Sequence, residues 1–496
     1  MKESPRRAGV ELLALTLATL AGCGAGPAPR PPPPVLGGAA QASSPSASSS
    51  PASLPADYHA AYRRLLEQMV SVDTSHGDET KLLEPIAALY RDAGVAVQIL
   101  ESAPGRGNLV ARLKGSGAKK PLLLLAHVDV VPVEGQPWTV PPFAVTEKDG
   151  FLYGRGINDD KGMAAAIVAL TLDLARTRAP LTRDVIVALT SSEESGAMPG
   201  ARWLVENHKD LLDAEIALNE GGGMLVTDDF AKPVLFGVGV SEKVFQTFKL
   251  VVKGKGGHSS RPPTTGDPVV TLARALLRVG EHRFPAKMLP EVKADLSMQL
   301  ATAEPAYVEA LRHAFASAPR VDPLDDAVLS KDAIYNAEIR TTCVTTMLKG
   351  SPQDNVLPTT AEAWVNCRIL PGETREGTRA ALAAAISDPT VGLTLAEDSG
   401  DAPGTPFEGE VPAAVEKVVG AAYAGTPVVP GMSTGASDSR FLRGAGIRAY
   451  GVSPGVSTRA EGKAAHLAHG PDERRSVPWL AVGTDLFRDI VRALVL

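Results

Sequence analysis

The segment that decides the fold is LLLLAHVDV, residues 122–130, in which an unbroken apolar run ends at His127. Two further apolar runs, IVALTSSEE and IALNE, also end in charged side chains, which are Glu193, Glu194 and Glu220. Continuous apolar strands are typical of a parallel sheet that is buried on both faces. Because the carboxyl ends of parallel strands meet at one edge of such a sheet, we expect these side chains to lie together.

Strand-like and helical patterns alternate through residues 56–240, which predicts an α/β domain with a mostly parallel central sheet. Over residues 241–403 the order changes to strand-helix-strand-strand-helix-strand, which predicts a small α+β sandwich inserted into the first domain. A helical stretch near 290–335 is interpreted as an addition to this insert. Residues 404–496 are expected to complete the first domain.

The N-terminus is interpreted as a targeting segment. Residues 1–22 resemble a bacterial lipoprotein signal peptide, with a basic start, a short apolar stretch and the sequence Leu-Ala-Gly-Cys ending at Cys23. We expect lipidation of Cys23 to anchor the exported protein to the cell envelope, at the outer membrane, by lipid alone. Residues 23–55 are rich in Pro, Ala, Ser and Gly and are predicted to form a disordered tether. The alternative is an ordinary signal peptide with an incidental cysteine.

The net charge of the chain argues against one class of partner, and two cysteines could form a disulfide. The formal charge is −6 and basic residues form no stripe, so nucleic acid is not expected as a partner. Cys343 and Cys367 fall opposite each other if their two strands pair as a hairpin centred near Asn355. The sequence leaves open whether they form a disulfide or stay as two buried thiols.

The acidic and histidine side chains of several short motifs are of the types that bind metal ions. His127 and Asp129 lie in HVD, Asp159 lies in GRGINDDKG, and His469 lies in HGPDER. Two histidines, one aspartate and two glutamates are a suitable set of ligands for a pair of Zn²⁺ ions. A glutamate next to a ligand glutamate is suited to take a proton from a metal-bound water.

The motifs HVD, GRG-x-x-D-D-K-G, S-E-E-S-G, N-E-G-G and H-G-P-D-E-R occur in an order that resembles a metallopeptidase family. That family holds acetylornithine deacetylase, succinyl-diaminopimelate desuccinylase, aminoacylase and carboxypeptidase S. The stretches WTVPPFAVTEKDGFLYGRG and GHSSRPP resemble the carboxypeptidase S branch most. The resemblance covers roughly residues 58–496 and implies a zinc-exopeptidase-type catalytic domain with an inserted lid and dimerisation domain.

The resemblance also implies roles for the motif residues. Asp159 would bridge two Zn²⁺ ions, for which Co²⁺ or Mn²⁺ are substitutes. The remaining ligands would be His127 and Glu220 at one ion, and Glu194 and His469 at the other. Glu193 would be the general base, and Asp129 would fix the orientation of the His127 ring.

Three residues of the insert are expected to contact substrate. His258 would stabilise the developing oxyanion in the active site of the partner subunit of a homodimer, whereas its plain alternative is a loop histidine that caps a helix. Asn355 and Arg368 match family positions that bind the free carboxylate of the substrate, although Arg368 could instead be an ordinary ion-pair partner. The loop GMSTGASDSR is also expected to line the pocket.

The function expected from these features is hydrolysis of an amide bond to an amino acid with a free carboxylate, by water activated on two zinc ions. The substrate would be a small peptide, as for a carboxypeptidase or dipeptidase, or an N-acyl amino acid. One alternative is a serine hydrolase, because residues 431–435 fit G-x-S-x-G, with Ser433 as nucleophile and Asp438 and His469 following. Another is a non-catalytic binding lipoprotein on the same fold.

Overall fold

The structure is a computed structural model that describes residues 54–194, 198–300, 303–396, 400, 403–458, 460–461 and 468–496, without the side chains of 298 and 299. The predicted signal peptide, Cys23 and nearly all of the tether lie outside the described residues, so they stay predictions. The described residues belong to one compact unit. None of the helices in this part of the chain combines the length and the apolar character that a bilayer crossing requires.

The first half of the chain alternates helices and strands as predicted. Its elements are α1 (Tyr58–Val70), α2 (Glu79–Asp92), β1 (Ala96–Ala103), β2 (Arg106–Leu113), β3 (Leu122–His127), β4 (Thr146–Lys148), β5 (Phe151–Tyr153), α3 (Lys161–Arg176), β6 (Val185–Thr190), α4 (Gly200–Asn207), a 3-10 helix (Lys209–Leu212), β7 (Ile216–Asn219), β8 (Gly223–Val226) and β9 (Pro233–Glu242).

The middle of the chain has the predicted order of strands and helices, with four additional helices. Its elements are β10 (Val244–Lys253), β11 (Gly257–His258), α5 (Pro268–Glu281), α6 (Pro290–Gln299), α7 (Pro305–Ser317), α8 (Pro323–Leu329), α9 (Ala333–Glu338), β12 (Thr342–Lys349), β13 (Val356–Leu357), β14 (Thr360–Ile369), α10 (Arg375–Ile386) and β15 (Val391–Leu395). The last segment adds α11 (Glu410–Ala422), β16 (Val428–Ser433), α12 (Ser439–Gly444), β17 (Arg448–Gly451), β18 (Val456–Thr458), β19 (Arg474–Ser476) and α13 (Val477–Val495).

The main sheet has the order β1-β2-β6-β3-β7-β17-β9-β8-β18, with β16 beside β9. Its central strands β6, β3, β7 and β17 are parallel to their neighbours within that group. Every residue of β3, β6 and β7 is buried, because helices cover both faces of the sheet. The α/β class and the parallel centre of the sheet are therefore as predicted, while β1 and β2 add an antiparallel edge.

A second, four-stranded antiparallel sheet has the order β12-β14-β10-β15. Every second residue of β14 is buried in a core shared with α5 and α10, as expected for an α+β sandwich. Cys343 lies opposite Cys367 in the register of β12 and β14, and the two form a disulfide. The structure thus decides the question that the sequence left open.

Helices α6 to α9 occupy the helical stretch predicted near 290–335 and enclose a small apolar core of their own. This core includes Leu296 and Leu311, and Met432 of β16 packs against it. Oγ of Ser241 donates a hydrogen bond of 2.7 Å to Oε1 of Glu291. The additional helices therefore contact the main sheet at β9 and β16 as well as the insert from which they emerge.

Candidate metal centre

The candidate site lies at the carboxyl edge of the three buried central strands. His127 is the last residue of β3 and lies opposite Thr190, the last residue of β6. Glu193 and Glu194 follow β6 by three and four positions, and Glu220 directly follows β7. Parallel neighbours end at the same edge, which is why the folded chain brings these side chains together.

Asp159 presents its two carboxylate oxygens to two different histidines. Its Oδ1 lies 2.8 Å from Nε2 of His127, and its Oδ2 lies 3.2 Å from Nε2 of His469. Nε2 of His469 also lies 2.7 Å from Oε1 of Glu194. The His127 side chain is 1% exposed and that of His469 is 54% exposed, so the group reaches from the protein interior to the surface.

Asp129 organises the loop that carries the two glutamates. Its Oδ1 accepts a hydrogen bond from the backbone N–H of Glu193, and its Oδ2 accepts one from Glu194, both at 3.0 Å. Nδ1 of His127 lies 3.1 Å from the backbone oxygen of Asp129 and 3.4 Å from its Oδ1. We take the shorter contact as the hydrogen bond, since the carboxylate is already engaged by two N–H groups. Asp129 therefore orients His127 through its carbonyl and the glutamate loop through its carboxylate.

Two overlapping groups of side chains have ligand atoms close enough to share a cation. One contains His127, Glu193 and Glu220, and the other contains His127, Asp159 and Glu194. In each group the ligand atoms lie within 4.8 Å of one another. Glu193 is thus as near to His127 as the predicted ligands are, so distance alone does not separate the general base from the ligands.

The electrostatics of the cluster fit a divalent cation. Burial, opposed by His127 and reinforced by neighbouring carboxylates, raises the pKa of Glu193 and of Glu220 well above the usual range. Burial also acts against ionisation of Asp159, yet hydrogen bonds from the two histidines hold its pKa below the usual range. Carboxylates crowded in a protein interior require compensating positive charge, which a metal ion supplies. The nitrogen and oxygen donors are those that Zn²⁺ accepts.

Arg368 lies within electrostatic reach of both Glu193 and Arg440. Arg368 of β14 is half-buried, with its guanidinium carbon 5.3 Å from the ring centroid of Phe245. Burial and the charge of Arg440 lower the pKa of Arg368, whereas Glu193 raises it. Arg440 of α12 has a buried Nε without a hydrogen-bond partner in the described part of the chain.

Arg440 was not singled out from the sequence. The signal that could have found it is its place in GMSTGASDSR, since that loop was expected to line the pocket. Asp438 in the same loop is buried, and its Oδ2 accepts a hydrogen bond of 2.8 Å from Oγ1 of Thr190. This contact joins the loop to the end of β6, beside the candidate metal ligands.

His258 lies on a small two-stranded sheet separate from the main sheet, and Asn355 directly precedes the other strand of that small sheet. His258 pairs with Val356, and the backbone oxygen of Asn355 accepts a hydrogen bond from Ser259. Both predicted substrate residues are exposed. Among the described residues, neither side chain has a hydrogen bond or ion pair with the acidic cluster. The role of His258 at the site of a partner subunit stays a prediction.

The alternative serine triad is not assembled. Oγ of Ser433 accepts a hydrogen bond of 3.0 Å from the backbone N–H of Gly435. Asp438 is engaged with Thr190, and His469 contacts Glu194. Because the three side chains have different partners, the structure gives the G-x-S-x-G hypothesis no support.

The sequence of this chain matches those of known proteins. The sequence profile of peptidase family M20/M25/M40 matches residues 123–493. The N-fatty-acyl-amino acid synthase/hydrolase PM20D1 of Xenopus tropicalis is 31% identical over 361 residues, which cover 72% of this chain and 69% of that protein. Succinyl-diaminopimelate desuccinylase of Delftia acidovorans is 34% identical over 230 residues, which cover 45% of this chain and 57% of that protein.

A solved structure supports the fold. The M20 family metallo-carboxypeptidase Sso-CP2 from Sulfolobus solfataricus superimposes with a TM-score of 0.64 and is 18% identical in sequence. The superposition covers 87% of this chain and 98% of that chain. At this level of identity the likeness concerns the fold alone.

Proposed function

Because this chain belongs to peptidase family M20/M25/M40, and is therefore a metal-dependent hydrolase, we propose that it cleaves the amide bond of N-acyl amino acids that carry a free carboxylate. The observation that carries the proposal is Asp159, whose two oxygens face His127 and His469, with Glu193 beside them. This arrangement supports a pair of cations that would share the Asp159 carboxylate, next to the Glu193 carboxylate, which could transfer a proton.

The substrate class is supported by two kinds of observation. The relative from Xenopus tropicalis is named for N-fatty-acyl-amino acids, and it is matched over 69% of its length. In this chain, Arg368 lies within electrostatic reach of Glu193 and of Arg440, and the two guanidinium groups suit the carboxylate of a leaving amino acid. Small peptides with a free C-terminus present the same carboxylate and are the competing substrates.

The proposed ligands divide into two sets that share Asp159. His127 and Glu220 would hold one Zn²⁺, and Glu194 and His469 would hold the other, with Co²⁺ or Mn²⁺ as substitutes. When bound, the ions would lower the pKa of a water and polarise the carbonyl of the amide. Asp129 would keep His127 and the glutamate loop in place through the three contacts described above.

Glu193 would carry the proton. Burial, opposed by His127 and reinforced by neighbouring carboxylates, raises the pKa of its carboxyl well above the usual range, and a strong shift of this kind is typical of a catalytic acid or base. It would take a proton from the attacking water and deliver it to the nitrogen of the leaving amino acid as the C–N bond breaks. Arg368 and Arg440 would hold the leaving amino acid by its carboxylate during this transfer.

We further propose that two copies of the chain associate through the insert, so that His258 of one copy serves the site of the other. The edge strand β12 exposes Val344, Met347 and Leu348, which are 61%, 51% and 64% exposed. Exposed apolar side chains on an edge strand favour pairing with another chain. A second copy would cover this edge and bring an exposed His258 towards a neighbouring cleft.

The protein is also proposed to be exported and anchored by a lipid on Cys23, because the sequence around this residue has the features of a lipoprotein signal. Metabolic labelling with a radioactive fatty acid tests the anchor. Labelling of the wild-type chain and loss of label in Cys23→Ser is the expected result, and equal labelling of both would refute it.

The decisive test of the activity is hydrolysis of matched N-acyl amino acids and dipeptides. Each pair shares the leaving amino acid, and each is assayed before chelation, after chelation and after Zn²⁺ is restored. We expect turnover of the N-acyl series that is lost with the metal and regained with zinc. Faster turnover of every dipeptide would instead indicate a peptidase, and activity that is indifferent to chelation would contradict the metal mechanism.

A further inference from the structure

The loop that carries His469 is held by side chains from a different part of the chain. His469 has a φ of 69°, a left-handed conformation that a residue other than glycine keeps only where its surroundings hold it. Its backbone oxygen accepts a hydrogen bond of 2.9 Å from Nε2 of Gln136 and one of 3.3 Å from Nη2 of Arg155. The loop is also tied at Asp472, whose carboxylate accepts two hydrogen bonds of 2.8 Å from Thr139.

Arg155 is the centre of this arrangement and is 1% exposed. Its Nη1 donates to Oε2 of Glu473 at 2.8 Å, and its Nη2 donates to Oε1 of Gln136 at 2.7 Å. The guanidinium carbon lies 5.1 Å from the ring centroid of Trp138, whose Nε1 donates to the same oxygen of Gln136. The orientation of Arg155 is therefore fixed from three sides.

Glu473 connects the same arginine to the segment that carries Asp159. It is fully buried, and its Oε1 accepts a hydrogen bond of 2.7 Å from the backbone N–H of Asn158, the residue before Asp159. Its Oε2 accepts one of 3.2 Å from the N–H of Gly156. One buried ion pair thus touches both the segment that presents Asp159 and the loop that presents His469.

A buried ion pair of this kind is poorly explained by stability alone. Removing two charges from water costs several kcal/mol per ion in rough terms, and apolar replacements are often as stable. Nε of Arg155 is also buried without a hydrogen-bond partner among the described residues, which adds to the cost. The contacts that the pair does make are aimed at the backbone around two proposed metal ligands.

We propose that Arg155 and Glu473 are positioning residues for the cation that Asp159, Glu194 and His469 would share. The inference rests on the two-metal site of the proposed function. The pair sets the distance between the segment of Asp159 and the loop of His469. Gln136 strengthens the connection to His469, since it contacts both Arg155 and the backbone of His469. The other ion would keep His127 and Glu220, which follow central strands and have no hydrogen bond with the pair in the described part of the chain.

The test measures zinc content and not turnover. Four proteins are equilibrated in buffers of fixed free Zn²⁺: wild type, Arg155→Met, Glu473→Gln and Gln136→Ala. Bound zinc is measured by mass spectrometry, and the melting temperature of each protein is measured as well. The matched control is Arg183→Met, which breaks the 2.7 Å ion pair of the buried Arg183 with the half-buried Glu410, before β6 and thus at the end of that strand opposite the cluster. We expect each of the three variants to keep one ion and to bind the second about 10- to 100-fold more weakly.

The control variant is expected to keep two ions even if its melting temperature falls as far. Gln136→Ala removes the three hydrogen bonds that Gln136 makes with His469, Arg155 and Trp138 but keeps the ion pair of Arg155 and Glu473. This variant therefore still tests the inference if the other two variants fail to fold. Wild-type affinity for both ions in Gln136→Ala and in any folded variant of the pair would overturn the inference, as would loss of one ion in the control. A wild-type protein that binds two ions without hydrolysing any amide would overturn the proposed function and leave this inference intact.

Discussion

The two oxygens of the Asp159 carboxylate face different histidines, Oδ1 at 2.8 Å from Nε2 of His127 and Oδ2 at 3.2 Å from Nε2 of His469. His127 ends a central strand, whereas His469 lies on a loop more than 300 residues further along the chain. One carboxylate therefore lies between a proposed ligand fixed by the sheet and a proposed ligand fixed by side-chain contacts. We therefore expect substitution of Asp159 and substitution of His469 to have different effects on metal binding.

Asp159→Ala is expected to abolish binding of both metal ions, because the variant removes the carboxylate that both sites would share. His469→Ala should remove one ion and leave the other, since His127 and Glu220 stay in place. Zinc per chain, measured at fixed free Zn²⁺, checks both outcomes. Equal zinc content in the two variants would contradict a bridging role for Asp159.

Glu193→Gln is expected to keep both ions and to lose hydrolysis by about 100- to 10,000-fold in kcat, the usual contribution of a general base. The amide keeps the shape of the side chain and cannot accept the proton. Steady-state kinetics with zinc analysis on the same sample tests this. A variant that loses an ion together with its activity would show that Glu193 is a ligand, as its distance from His127 also permits.

The core of the fold and the inner part of the site could be predicted from the sequence, because they follow from local patterns. Apolar runs ending in His127, Glu193 and Glu220 define strands, and parallel strands bring their ends together. Side chains whose position depends on long-range packing could not be predicted. Arg440 comes within electrostatic reach of Arg368 because the loop after β16 is joined to the end of β6 by Asp438 and Thr190. No pattern within residues 431–440 predicts that proximity.

Arg440→Gln is expected to raise KM for substrates with a free carboxylate by about 10- to 150-fold, the equivalent of a charge-assisted hydrogen bond of about 1.5–3 kcal/mol. Substrates in which that carboxylate is an amide should be poor for the wild-type protein and unchanged by the substitution. Arg379→Gln, which removes an exposed arginine of α10 paired with Glu376, serves as the control. An equal effect on both substrate types would place Arg440 outside carboxylate recognition.

His258→Ala and Glu193→Gln are each expected to be nearly inactive alone. If His258 serves the site of a partner copy, a mixture of the two should recover up to about one quarter of wild-type activity, because half of the dimers are mixed and each has one intact site. Activity is measured after the chains are exchanged by mild denaturation and refolding. Absence of recovery in a mixture shown to contain mixed dimers would contradict action between copies.

Glu338, the last residue of α9, provides a pH-dependent test of the additional helices. Its Oε2 is buried without a hydrogen-bond partner in the described part of the chain, and burial, Asp295 and Asp332 raise its pKa to about 8 against the effect of Lys243. The folded state therefore holds this proton more tightly than the unfolded chain does. Stability from this group is fully present below the unfolded pKa near 4.5 and is lost as the pH rises towards 8.

Glu338→Gln should remove this loss, because the amide is neutral at every pH. The quantity to follow is the unfolding free energy of the variant minus that of wild type. We expect this difference to increase by at least about 1 kcal/mol between pH 5 and pH 8. The full shift would give more, since each pKa unit corresponds to about 1.4 kcal/mol. Urea unfolding at several pH values measures the difference. Glu376→Gln is the matched control, because Glu376 is an exposed helix glutamate whose pKa is lowered by Arg379. A difference between Glu338→Gln and wild type that does not change with pH would show that Glu338 ionises normally in the folded protein.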